Sequence, residues 1–155
     1  MFPLQDTVQA RSFPLITWTI ILINGLVFLV ELSLTPSQLE RFVSILGMIP
    51  ARLGESPEAY ITVLTSMFLH GGWTHFIGNM WMLYLFGDNV EDRMGPARYL
   101  IFYLSCGLSA WAFQYLSAPD STIPSIGASG AIAGVLGAYF LLFPTARVIT
   151  LCTGK

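Results

Sequence analysis

The sequence predicts an all-α membrane protein, and three observations carry that prediction. Of its 155 residues, 54% are hydrophobic and 10% charged, with a mean hydropathy of +0.66, which leaves too little charge to cover a water-soluble domain. Four charge-free windows approach or exceed the roughly 20 apolar residues that cross about 30 Å of hydrocarbon. The last of them, from Ser121 to Ala146, also carries regularly placed glycines of the kind that let membrane helices pack closely.

The first window, between Arg11 and Glu31, predicts a helix over about 13–32. It is long for a signal-peptide core and no small-x-small cleavage pattern follows it, so it is read as a retained span. The second window lies between Glu58 and Asp88 and is interrupted by Gly71-Gly72, which places the spanning helix over about 73–87. Tyr60 to Leu69 then form a separate apolar segment, read as a short helix at the membrane surface. The third and fourth windows, either side of Asp120, predict spans over about 97–117 and 127–145. Between the first two spans runs a long loop, 33–72, whose Pro36, Pro50, Gly54 and Pro57 punctuate mixed apolar and charged residues, a composition suited to short structure at the interface.

Basic residues orient the bundle. An alternation of four spans puts Arg11, Arg93, Arg98, Arg147 and Lys155 on one side and Arg41 and Arg52 on the other, so the N-terminus is expected in the cytoplasm and the long loop outside. The net charge of −2 and the lack of a basic run argue against a nucleic-acid partner. Cys106 and Cys152 have no CxxC spacing and define neither a disulfide nor a metal framework. No internal repeat supports a transporter built on duplicated halves.

The fourth window holds Gly127-Ala128-Ser129-Gly130 at its outer end. Nineteen residues between Pro124 and Pro144, about 28 Å of helix, set Ser129 slightly below the membrane surface at a helix N-terminus, where free N–H groups can stabilise a developing oxyanion. Gly127, Gly130, Gly134 and Gly137 form one packing stripe, with Ser129 roughly 120° away from it. Small-residue stripes are usually packing devices, so the serine gains meaning only from the second window. There His75 and Asn79, four apart, share a helix face, and His70 is the only other histidine of the chain. Buried polar groups near a membrane surface require partners and mark function. The two histidines do not match helical metal-ligand spacing, so no metal is expected. Two roles remain open for His75: the base that deprotonates Ser129, oriented by Asn79, or a donor to the oxyanion together with Asn79.

Three stretches resemble the rhomboid intramembrane serine proteases: Phe68-Leu69-His70-Gly71-Gly72-Trp73 with His75 and Asn79; Phe86 to Gly95; and Gly127 to Tyr139. They occur in that family's order and on its spans. The resemblance implies a helical bundle containing four of the family's six transmembrane helices, with a long first outer loop, so residues 1–155 form a single incomplete membrane domain. It implies that Ser129 is the nucleophile of a serine–histidine dyad needing no cofactor, that His75 and Asn79 line the oxyanion hole, with His70 beside them as polar support, and that Glu91, Arg93 and Gly95 are scaffold in place of a merely solvated turn. Substrates would be transmembrane proteins, cut near the outer ends of their helices, in a cell (plasma) membrane.

The chain departs from the family's pattern in three places. The first outer loop lacks the Trp-Arg pair of some members, and Ala133 stands where some carry an aromatic residue. The family's catalytic histidine lies on a sixth span, whereas these residues stop after the fourth. The expectation is therefore that this chain alone is inactive, that its glycine stripe loses a likely partner and that Ser129 loses its cover. The alternatives are a non-catalytic rhomboid-like protein that binds membrane helices and, more remotely, a transporter or channel component.

Overall fold

The computed structural model describes residues 2–151, and Met1, Cys152 and Lys155 lie outside them. Its elements in order are strand β1 (Phe2–Asp6), helices α1 (Leu15–Ser33), α2 (Pro36–Leu46), α3 (Pro57–Thr65), α4 (Trp73–Met94), α5 (Pro96–Ser117) and α6 (Ser129–Leu142), and strand β2 (Val148–Leu151). The fold is mostly helical, as the composition requires. Short 3-10 turns at Pro50–Arg52 and Ser66–Phe68 complete the long outer loop.

Local chemistry sets the boundaries. Proline occupies the first turn of α2, α3 and α5, where its missing N–H costs nothing and its fixed φ favours entry. In α2 the Thr35 N–H and hydroxyl both donate to Gln38 Oε1, which ties the start of the helix to its first turn. Helix α4 ends at Gly95, whose φ of +81° only glycine adopts without strain, and Pro96 starts α5 directly.

Two span boundaries differ from those read in the sequence. Helix α4 does not stop near residue 87 but continues to Met94, because no glycine or proline intervenes before Gly95 and the contact of Glu91 with Ile16 and Thr17 of α1 holds the added turns in place. The charged stretch is thus helical, and no solvated turn is present there. Helix α6 is shorter than 127–145: an extended approach lasts until Gly127, and the helix stops at Leu142 ahead of Pro144. By length and composition, α1 and α5 are each sufficient to cross a membrane; α6, with 14 residues, is a shorter apolar helix.

The helices pack side by side, with α6 against both α4 and α5, and α1 against α4. The core is formed by Leu83 and Val90 of α4, Tyr99 and Tyr103 of α5, and Ile132, Val135 and Tyr139 of α6. Part of the glycine stripe packs against α5. A Cβ on Gly130 would collide with Ala110 and one on Gly134 with Cys106, so α5 supplies the close approach at these two positions. Gly137 meets nothing within 4 Å, and Gly127 precedes the helix and packs elsewhere.

Strands β1 and β2 pair antiparallel, bringing the two ends of the described chain together. Asp6 at the end of β1 accepts hydrogen bonds from Tyr139 (2.7 Å) and Asn89 (2.9 Å), and the Trp81 indole donates to the Pro3 carbonyl at 2.8 Å. This sheet gathers the N-terminus of α1 and the C-terminal ends of α4 and α6 at one end of the bundle. The outer loop and Ser129 occupy the other.

Candidate active site

Helix α4 begins with Gly72 and presents His75 in its first turn and Asn79 one turn on, the shared face that the i, i+4 spacing predicts. His75 Nδ1 accepts the Gly71 N–H at 3.4 Å, an arrangement that suits a ring with its proton on Nε2. That nitrogen faces Gly127. A Cβ on Gly127 would lie 2.6 Å from His75 Nε2 and 3.8 Å from Ser129 Oγ, so the imidazole and the hydroxyl flank one point. Gly127 also holds φ at +122°, a conformation that only glycine adopts cheaply, and its N–H donates to the Ser66 carbonyl at 2.8 Å.

Ser129 is the first residue of α6 and is exposed. Its N–H belongs to the first turn, whose donors have no partner within the helix. The hydroxyl lines a cleft of about 160 Å³ shared with Met67, Trp111 and Gln114. Among the described residues no hydrogen bond joins Ser129 to His75 or Asn79. Asn79 is 8% exposed and its Nδ2 lacks an acceptor, an uncommon state for a buried amide.

His70 sits behind this pair. It is 2% exposed, its ring lies 5.1 Å from that of His75 and 5.3 Å from Phe76, and neither ring nitrogen has a hydrogen-bond partner. Burial first, and the neighbouring His75 second, push its pKa down to about 4, so it is neutral at ordinary pH. Its backbone N–H is held by both carboxylate oxygens of Glu31, at 3.0 and 3.1 Å.

The outer loop is stitched to the approach to Ser129. Met48 and Ser125 exchange backbone hydrogen bonds (3.2 and 2.8 Å), and the Ala51 N–H donates to the Ser121 carbonyl at 3.0 Å. At the opposite end of the bundle, Glu91 is 2% exposed and accepts from the Ile16 N–H (2.9 Å), the Thr17 N–H (2.8 Å) and the Thr17 hydroxyl (2.8 Å). It therefore caps the otherwise orphaned first turn of α1 from a neighbouring helix. Arg93 is exposed and Gly95 is the turn between α4 and α5.

Sequence reasoning missed Glu31, taken only as the edge of a window, and Gln114. A signal for Glu31 was present: Thr17, Asn24 and Glu31 recur every seven residues, and all three are buried on one stripe of α1.

A membrane-type helical bundle with an exposed serine at a helix N-terminus beside an imidazole defines the class. Comparison with known proteins agrees: the Rhomboid domain family matches residues 57–153, and the chain belongs to that family, whose members are integral membrane proteins. It is 29% identical over 119 residues to Rhomboid-like protein 11, chloroplastic, of Arabidopsis thaliana, covering 77% of this chain and 42% of that protein. To the Putative rhomboid protease YdcA of Bacillus subtilis it is 32% identical over 90 residues, 58% of this chain and 45% of the relative. To Rhomboid protease GluP of the same organism it is 36% identical over 91 residues, 59% and 17% respectively. The chain thus spans less than half the length of these relatives. No solved structure matches it.

Proposed function

We propose that these residues form the nucleophile and oxyanion half of a rhomboid serine endopeptidase acting on transmembrane proteins. Ser129 is the nucleophile, and the Ser129 N–H, His75 Nε2–H and Asn79 Nδ2 are the donors to the oxyanion of an acyl-transfer intermediate. The observation that carries this reading is the convergence of His75 Nε2 and Ser129 Oγ on Gly127, at the end of the bundle expected to face outward. The unpartnered Asn79 amide supports it, as a donor in want of an acceptor. No cofactor enters the chemistry.

On this reading His75 is a donor and not the base, supported by its Nδ1 accepting the Gly71 N–H, which suits a proton on Nε2 beside Gly127. His70, pushed down to about 4 and buried, is a poor base as well. The 155 residues assayed alone are therefore expected to cleave nothing. In the protein expressed from its native gene and reconstituted with a single-span substrate, Ser129→Ala should lower cleavage by about a thousandfold or more. Cleavage that survives Ser129→Ala overturns the reading. If the whole protein binds such substrates but never cuts them, it is a non-catalytic member that binds membrane helices. We place the protein, with its N-terminus in the cytoplasm, in the cell membrane; recovery from an organelle membrane, as the chloroplastic and mitochondrial names of some relatives suggest for them, would replace that location.

A further inference from the structure

Glu31 is a carboxylate 3% exposed in the last turn of an apolar helix, a costly place for an acid. Both of its oxygens are directed at one group, the backbone N–H of His70, at 3.0 and 3.1 Å. The next residue, Gly71, donates its N–H to His75 Nδ1, and the other nitrogen of that ring faces Gly127 beside Ser129. Phe28, one turn before Glu31, stacks on Phe76 at 4.4 Å and meets the His70 ring edge-on at 6.3 Å, so the end of α1 grips this connection from two sides.

From this relay we propose that Glu31 is a positioning residue of the site: it pins the His70 N–H, holds the 70–72 connection in register, and through the Gly71 N–H selects the His75 tautomer whose Nε2–H faces Ser129. Without that anchor the Gly71 N–H swings away from Nδ1, the preference for the Nε2–H tautomer weakens, and a larger part of the population presents a bare nitrogen to the serine. The inference rests on the proposed role of His75 as an oxyanion donor, but the tautomer itself is measurable without turnover.

The test is histidine side-chain 15N NMR on the chain in lipid nanodiscs, comparing wild type with Glu31→Gln, Glu31→Leu and Glu31→Asp. Wild type should show His75 protonated mainly on Nε2, and Glu31→Gln, which keeps an oxygen acceptor, should match it. Glu31→Leu should shift the tautomer ratio by about fivefold toward Nδ1–H, the equilibrium worth of one ordinary hydrogen bond. An unchanged ratio in a folded Glu31→Leu protein overturns the proposal. Should Glu31→Leu fail to fold, Glu31→Asp, one methylene too short to reach, decides in the same way: a shift supports the proposal, and an unchanged ratio overturns it. Failure of the protease reading is separate. It would appear as Ser129-independent cleavage by the whole protein, whatever the His75 tautomer.

Discussion

Gly127 concentrates two demands at one residue: a φ of +122° and a Cα with no room for a methyl beside His75. Gly127→Ala should therefore cost roughly 1–3 kcal/mol and displace the imidazole, read as a lower thermal midpoint together with changed His75 side-chain shifts. His70 yields a pH dependence. Its pKa is lowered from 6.5 to about 4, so the unfolded chain binds its proton first as pH falls. The stability associated with neutral His70 is whole above about pH 6.5 and drains away toward pH 4. The thermal midpoint should fall over that window in wild type and fall less in His70→Phe; equal slopes would contradict the burial of this ring. At this scale the sequence was informative where spacing carries meaning, as in His75 with Asn79. Glu31 escaped because a charge in an apolar run looks like a boundary until the partner, 39 residues away, is known.

The four longer helices, α1, α4, α5 and α6, were legible as elements, since each rests on an apolar run; their ends were not, and α2 and α3 were legible only as short structure within the outer loop. Helix α4 runs two turns past its apolar stretch because Glu91, polar in sequence, is buried by a contact with α1 that no local pattern reports. Glu91→Ala would leave the Ile16 and Thr17 donors unpaired. The expected cost is roughly 2–4 kcal/mol, seen as a lower thermal midpoint and faster amide exchange at the start of α1, with the His75 environment unchanged. A Glu91→Ala protein that keeps its midpoint but loses activity would mean that this carboxylate has a role in chemistry.

Over the whole molecule, the least legible feature is the β1–β2 pair. Strands of five and four residues, separated by nearly the full chain, have no local signature and form only once the helices bring their ends together. Asp6 ties this sheet to α4 and α6, and its pKa is raised, chiefly by burial and against the Tyr139 hydrogen bond. The sign follows: the unfolded chain releases this proton first, so the contribution of Asp6 is full below its ordinary pKa of 3.8 and is lost as pH rises through the raised value. Asp6→Asn, which keeps an acceptor for Tyr139 without the charge, should leave the sheet at least as protected from hydrogen exchange at neutral pH and abolish its acid dependence. Weaker protection in Asp6→Asn would show that the carboxylate charge itself holds the sheet.

The hydrogen bonds from Met48 to Ser125 and from Gly127 to Ser66 acquire another meaning in a bilayer. They couple the segment before Ser129 to the outer loop, so that a displacement of the loop relative to the bundle would be passed to the serine. Were the loop to lie at the lipid surface, as the sequence suggests, a thinner or thicker bilayer would act on the serine through it.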